Sequence, residues 1–199
     1  MSAPQEIIVA PYEIYLAPVG EAFPAINATP GGNWQKLGTS GKRNMSDEGV
    51  TVESSQSIQK KRNLGSTGGI KAVRTEEDLK VSFALEDMTL EQYSKALNGN
   101  SIGEISQASG VAGQKYMTMH QGPNVTMYAL LARGVSAYLE NGKAQYEVPY
   151  CYQSANVAPK FSKSDVATLK MEFEALEDPD AATDEERFGR LRQQTAAAL

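Results

Sequence analysis

The sequence has one histidine and one cysteine, the residue types that most often carry acid-base and nucleophilic chemistry. His120 could act as a general base with a serine and a carboxylate, as in a Ser-His-Asp triad. However, no G-x-S-x-G motif is present, and His120 shares the polar side of a predicted strand with Thr118, so a surface or interface histidine is favoured. Cys151 lies in a tyrosine-rich strand without a basic neighbour, which is typical of a packed thiol. We therefore expect no enzyme activity.

Other local patterns do not predict a cofactor or metal site. The segment GSTGG (residues 65–69) lacks the Lys-Ser/Thr ending and the strand-to-helix setting of a phosphate-binding loop, so a flexible turn is expected. A zinc site would need several carboxylates beside the one histidine and the one cysteine. Tyr146, Tyr150 and Tyr152 could form a stacking surface for a ligand, but their spacing is more typical of one core face. We expect no cofactor and no metal.

Length and charge limit the classes of protein that fit. The 199 residues are enough for one domain with its own core. The 19 basic and 24 acidic residues give a net charge of −5, which disfavours a protein whose main task is to grip nucleic acid. The opening MSAPQEIIVA does not have the pattern of a signal peptide, and no apolar run reaches the roughly 18 residues of a membrane span. We expect assembly in the cytoplasm and no membrane partner.

The dominant hydrophobic period is two, which indicates antiparallel β-strands. Every second residue is apolar within residues 79–85 and again within residues 169–175, so each segment predicts a strand with one core face. Residues 125–132 are apolar on both faces, which is typical of a central strand that is covered on both sides. Within residues 144–154, Pro149 favours an edge strand or a bulged strand.

One helix is predicted among these strands. Thr89 and Gln92 have the spacing of a capping box, and Leu90, Tyr93 and Leu97 share one helical face. Because so short a helix is marginal alone in water, its apolar face must lie on the sheet. The sequence thus predicts a mainly β fold with two packed antiparallel sheets, sandwich-like or barrel-like, one flanking α-helix, a long polar hairpin or loop, and extended termini.

The pattern changes after Asp178-Pro179-Asp180, so we predict a β domain over residues 1–180 and a C-terminal arm over residues 181–199. Thr183 and Glu186 have the spacing of a second capping box. The closing TAAAL has little to bury. We expect the arm to be helical or disordered.

Residues 50–74 form the most informative stretch, which predicts a long polar hairpin within the β domain. Its strand-like residues lead to Lys60, Lys61 and Arg62, and the chain returns at Ile70. A long polar hairpin leaves open strand edges unless another chain supplies pairing or side-chain partners. The stretch therefore predicts assembly, and a mobile surface loop is the alternative interpretation.

Three blocks of sequence resemble the major tail tube proteins of long-tailed, siphovirus-type bacteriophages. The first is WQKLG (residues 34–38), followed by DEGVTV (residues 47–52). The second is VRTEEDLKVSFALED (residues 73–87), which runs into the predicted helix. The third is LKMEFEALEDP (residues 169–179). Together the blocks span most of the chain. The sequence departs from shorter family members in its Ala- and Arg-containing tail after Pro179.

The resemblance implies a structural subunit. Such proteins form hexameric rings whose inner sheets join into a continuous barrel, and the rings stack into the tube that conducts DNA from the virion. DNA passes through the lumen without specific binding. The resemblance also implies contacts with a tape-measure protein, a tail terminator and tail-tip proteins. The tube of a contractile tail or injection apparatus is an alternative, and a monomeric β-sandwich binding module is another from a different class.

The resemblance and the charge pattern assign two sets of contact residues. A lysine-lined lumen would hold duplex DNA, which carries one charge per about 1.7 Å, so the basic hairpin residues are expected to face a neighbouring subunit. Carried over by position, the resemblance implies that residues 46–74 are the hairpin or loop that reaches a neighbour. The predicted contacts of the hairpin or loop are Lys60, Lys61, Arg62, Leu64, Glu76, Glu77 and Asp78. The predicted ring-stacking arms contain Ile7, Ile8, Phe188 and Leu191.

Overall fold

The computed structural model describes residues 3–5, 7–8, 12–38, 44–163 and 166–198. Its strands are β1 (Glu13–Pro18), β2 (Gln35–Lys36), β3 (Met45–Lys61), β4 (Lys71–Leu85), β5 (Ile102–Ile105), β6 (Gln114–Met117), β7 (Met127–Val135), β8 (Lys143–Gln153), β9 (Leu169–Ala175) and β10 (Arg190–Gln193). One α-helix, α1 (Leu90–Ala96), and one 3-10 turn (Asp184–Glu186) complete the elements of the described residues.

The main sheet is antiparallel and has the strand order β2-β1-β7-β8-β9-β4-β3, with β10 paired to β8 beside β9. A second small sheet contains β5 and β6. The prediction of a mainly β fold with antiparallel sheets, one helix and a long hairpin is confirmed.

The main sheet curls around one core. Strands β1 and β4 stand four places apart in the sheet, about 19 Å if it were flat. Yet Asn44 Nδ2, next to β3, donates a hydrogen bond of 2.5 Å to the carbonyl of Gly38, just after β2. Asn44 also accepts one of 2.8 Å from the amide of Glu86, just after β4. The first bond joins the two sides of the curled sheet, and the second holds Asn44 beside the end of β4. Ile14 and Leu85, from strands on the two sides, are both buried in the one core.

The period-two segments fill that core as predicted. Val81 and Phe83 of β4 and Met171 and Phe173 of β9 are buried in one cluster, and the rings of Phe83 and Phe173 stack with centroids 6.0 Å apart. Strand β7 contributes Tyr128, Leu130 and Ala132 to this core, while Ala129 and Leu131 enter a second cluster with Trp34 on the other face. The prediction of a central strand covered on both sides is therefore confirmed for residues 127–132, whereas Val125 lies before the strand and is exposed.

Strand β8 differs from the sequence-based expectation in one respect. It pairs with β7 along one edge and with β9 and β10 along the other, so the edge-strand alternative is wrong. The bulged alternative is confirmed, because the register with β7 shifts around Pro149. The shift also overturns the single tyrosine face: Tyr146 packs against the core, but beyond the bulge Cys151 takes the buried position and Tyr152 does not.

Helix α1 packs on the core, with Ala96 in the core cluster and Tyr93 partly buried against it. The buried positions of the helix are Gln92, Ser94 and Ala96, so they differ from the predicted face of Leu90, Tyr93 and Leu97, although Leu97 is also buried. Thr89 is its N-cap residue but makes no side-chain capping bond, so the predicted capping box is absent. The amide of Thr89 instead donates to Asp87 Oδ1 at 3.1 Å, which turns the chain into the helix.

The expectation of a helical or disordered C-terminal arm is wrong for residues 190–193. They form β10 on β8, and Phe188 packs against the core cluster just before it. The second predicted capping box is also absent, since Thr183 makes no side-chain bond to the 3-10 turn that follows. Leu199, the last residue of the predicted arm, lies outside the described residues.

Candidate assembly interface

The most prominent surface feature is the hairpin of β3 and β4. Strand β9 pairs with β4 only over Lys80 to Leu85, so residues 71–79 of β4 have β3 as their partner strand and no other in the described structure. At about 3.4 Å per residue, this two-stranded ribbon extends about 30 Å beyond the third strand. The outer edge of β3 pairs with no other strand of the described residues. An isolated two-stranded ribbon is marginally stable in water.

Polar side chains stabilise the ribbon locally. Arg74 donates to Gln56 Oε1 at 2.9 Å and pairs with Glu77 Oε2 at 3.0 Å, and Ser57 donates to Glu76 Oε2 at 2.8 Å. A bulge at Thr75 separates the registers on its two sides. These groups are exposed, so each contact contributes only about 0 to 1 kcal/mol.

Charge is separated along the hairpin. Residues 58–74, here called the tip, hold five basic residues and no acidic residue: Lys60, Lys61, Arg62, Lys71 and Arg74. Because the whole chain has a net charge of −5, the remaining residues together carry −10. The tip also exposes four apolar side chains, Ile58, Leu64, Ile70 and Val73, and Leu64 is fully exposed at 107%.

The predicted hairpin contacts lie in two separate places. Lys60 and Lys61 stand opposite Ala72 and Lys71 near the end of β3, and Arg62 and Leu64 follow in the turn. The acidic residues Glu76, Glu77 and Asp78 stand opposite Ser57, Gln56 and Ser55, closer to the body of the protein. No ion pair joins the two groups within the described chain. At the base itself, the carboxylates of Glu174 and Glu172 raise the pKa of Lys80.

A groove opens at the base of the hairpin, with a volume of about 560 Å³. It lies between β4, β8 and the C-terminal segment 184–191. Its apolar side chains are Leu79, Tyr146, Val148, Phe188 and Leu191, and its charged ones are Glu77, Asp78, Glu147, Glu177, Asp184, Glu185, Arg187 and Arg190. Six carboxylates therefore face two guanidinium groups, which makes the groove acidic.

Of the four residues predicted for the ring-stacking arms, two lie near the N-terminus and two line the groove. Ile7 is 78% exposed and Ile8 is 40% exposed, so both present apolar surface to solvent. The amide of Gln5 donates to the carbonyl of Ala137 at 2.5 Å, which places Gln5 beside the turn between β7 and β8. Phe188 and Leu191 line the groove, where Phe188 is packed on the core and Leu191 remains largely exposed.

Sequence reasoning missed a buried polar row that supports the groove. Arg133 Nη2 donates to Gln145 Oε1 at 2.6 Å and to the carbonyl of Ala25 at 3.2 Å, and Gln145 Nε2 donates to Glu147. Glu147 is 1% exposed and pairs with Arg190 at 2.5 Å. Burial lowers the pKa of Arg133, and the bond with Glu147 raises that of Arg190. Polar residues in a strand pattern are read as solvent-facing, so no local signal marks this row as buried.

A second cavity, of about 370 Å³, lies at the end of α1. Its lining is rich in amides, with Asn98, Gln121, Asn124 and Gln153 among them. Oε1 of Gln153 is buried there without a hydrogen-bond partner in the described structure. This cavity offers uncharged polar groups.

The residues considered for catalysis lie apart. His120 is exposed in the loop after β6 and is not part of a strand. Cys151 is 1% exposed, its thiol donates to the carbonyl of Tyr128 at 3.3 Å, and burial raises its pKa. The described residues contain no cluster of ligands that could hold a metal ion. None of their helices is long and apolar enough to cross a bilayer.

No protein-family model matches the chain, and no curated protein matches it.

Proposed function

We propose that this protein is a non-enzymatic structural subunit that forms hexameric rings, and that the rings stack into the tail tube of a bacteriophage virion. The tube would conduct DNA into the host, and assembly would take place in the host cytoplasm. The sequence resemblance suggests this role. The observation that carries it is the hairpin, a ribbon whose outer edge pairs with no strand of the described residues and whose tip is exposed, basic and partly apolar.

The hairpin has features that association would stabilise. Its strand edges carry backbone donors and acceptors that a neighbouring strand can pair with. Ile58, Leu64, Ile70 and Val73 expose apolar surface far from the core, where it stabilises nothing within one chain. Contacts of a head-to-tail kind close into rings or continue into a stack, so one hairpin per subunit can link many copies.

The charge distribution suits a DNA conduit. With the basic residues 58–74 engaged by neighbouring subunits, the rest of the chain carries a net charge of −10 and would line the lumen with neutral or acidic surface. Such a wall lets duplex DNA pass without the counterion release that drives binding. Contacts with a tape-measure protein, a tail terminator and tail-tip proteins belong to the same proposal, as does the contractile tube as its variant.

A monomeric binding module is the second candidate, and the amide-lined cavity favours it. Its volume of about 370 Å³ is within the range of small-molecule sites, and Oε1 of Gln153, which has no hydrogen-bond partner among the described residues, could accept a hydrogen bond from a neutral polar ligand. This role would leave the hairpin without a purpose.

Shortening the hairpin tests the proposal. Residues 58–74 are replaced by a two-residue turn, and a control variant shortens the exposed loop at residues 107–112 instead. The intact chain and the control should form rings or tubes under the electron microscope, while the tip-deleted chain should stay monomeric with an unchanged β-sheet circular dichroism spectrum. If the tip-deleted chain assembles like the intact one, the hairpin does not carry the function.

A further inference from the structure

The tip of the hairpin and the groove at its base are complementary surfaces on the same chain. The groove has an apolar floor that includes Leu79 and Phe188, and a rim of carboxylates. The tip has a fully exposed leucine, Leu64, next to the cations Lys61 and Arg62. A leucine flanked by cations fits an apolar floor within an acidic rim.

Two carboxylates of the rim are available to such a partner. Asp78 and Glu185 make no ion pair within the described chain, whereas Glu177 and Asp184 share Arg187. An incoming cation beside these groups would complete pairs that the single chain leaves open.

The tip of a chain cannot enter its own groove. Ser54 lines the groove, and Leu64 follows ten residues later at the far end of a regular ribbon. Ten extended residues span about 33 Å, and the antiparallel pairing of β3 with β4 prevents the ribbon from folding back. The occupant must therefore be a tip from another copy.

We propose that the groove receives the hairpin tip of a second copy, with Leu64 on the apolar floor and the cations of residues 60–62 against the carboxylate rim. This inference rests on the proposed function, because it concerns how its subunits associate. The contact joins the tip of one copy to the groove of the next. One end of the assembly therefore keeps an unoccupied tip and the other an unoccupied groove, and further copies can be added there. Successive copies would be offset by about 30 Å, the length of the ribbon.

Disulfide trapping tests the contact directly. The variant Leu64→Cys is mixed with Leu191→Cys and oxidised, and the native Cys151 does not interfere because it is buried. A disulfide-linked dimer should form in at least about tenfold greater yield than in a control mixture of Leu64→Cys with Ile105→Cys, since a specific contact holds the thiols in bonding range. Ile105 is also exposed but lies on β5, away from the groove.

A charge-exchange experiment is the second test of the contact. One variant has a reversed tip, Lys60→Glu, Lys61→Glu and Arg62→Glu, and another has a reversed rim, Asp78→Lys, Glu177→Lys and Glu185→Lys. Each alone should raise the protein concentration needed for assembly by about tenfold or more, which corresponds to about 1.4 kcal/mol. An equimolar mixture should assemble again, because each tip then meets a rim of opposite charge. The matched control, Glu48→Lys, Glu104→Lys and Glu140→Lys, should assemble normally.

The outcomes separate this inference from the proposed function. Tubes without the specific disulfide, and without an effect of either reversal, would overturn the groove contact and leave the tube intact. A specific disulfide without rings or tubes would support the groove contact and overturn the tube. Loss of assembly in both reversed variants, with no rescue in the mixture, would also contradict the tip-in-groove pairing.

Discussion

The carboxylate of Glu147 lies 2.5 Å from the guanidinium of Arg190, and this contact fastens the C-terminal segment to the middle of the sheet. Glu147 is buried on β8, whereas Arg190 opens β10 and is partly exposed. Arg192 adds a second ion pair to the same carboxylate at 3.3 Å. The same segment also forms one wall of the groove. The contact between Glu147 and Arg190 therefore holds that wall of the candidate interface in place.

Replacing Glu147 with glutamine should destabilise the protein. The side chain keeps its shape but loses the charge that bonds Arg190 and Arg192, and we expect the free energy of unfolding to fall by about 1 to 3 kcal/mol. Glu186→Gln is the matched control, because it pairs with Arg190 on the surface and should cost about 0 to 1 kcal/mol. Urea unfolding of both variants measures the difference. If both variants lowered the free energy of unfolding by the same small amount, the buried contact of Glu147 would not stabilise the attachment of the C-terminal segment.

Gly189→Ala should detach β10. Gly189 has φ +111°, and a β-carbon there would overlap the carbonyl oxygen of Glu147, so the chain could not stay against β8. Hydrogen exchange at residues 190–193 should become fast while that of β7 stays slow. Gly20→Ala is the control, since it also has a positive φ but no atom within 4 Å. Retained protection of β10 in Gly189→Ala would contradict the close packing.

The thiol of Cys151 should be unreactive until the protein unfolds. Burial raises its pKa well above the usual range, so almost no thiolate forms at pH 8. A chromogenic disulfide reagent should react with the denatured protein but not with the native one. An Ile105→Cys variant should react at once in the native state, because that side chain is exposed on β5, away from the groove. Rapid reaction of native wild-type protein would contradict the buried position.

Tyr15 should contribute to a loss of stability at alkaline pH. Burial, and then the hydrogen bond to Glu13, raise the pKa of its phenol from 10.0 to about 12. The unfolded chain therefore ionises first, and the stabilisation that is complete below pH 10 is lost as the pH rises to about 12. Tyr15→Phe should flatten the fall in the free energy of unfolding over this window. Tyr116→Phe, at an exposed tyrosine, should not, and equal slopes in all three proteins would refute the assignment.

The parts of the fold that the sequence could predict are those with regular periodicity. Every second residue in 79–85 and in 169–175 points into one core, because a strand alternates its faces without regard to distant contacts. The hairpin could likewise be predicted from the sequence, because two polar strand-like segments flank a turn that is rich in glycine. A count of charged residues over 58–74 would also have assigned Lys71 and Arg74 to the basic tip.

The remaining features depend on contacts between distant segments. Strand β10 has only one apolar residue, Leu191, and it forms because β9 leaves the edge of β8 free beside residues 144–147. Glu147 is buried because Arg190 and Arg192, more than forty residues later, supply its partners. The groove needs all of these segments in place. No local pattern in the sequence contains that information.

The central claim is that the chain assembles through its hairpin into a hollow tube. Negative-stain electron microscopy of the purified full-length protein over a concentration series, with light scattering to follow its mass, tests it most directly. We expect six-fold rings with an open centre that stack into hollow tubes as the concentration rises. Monomers alone at every concentration by both methods, or assemblies without a central channel, would contradict the account.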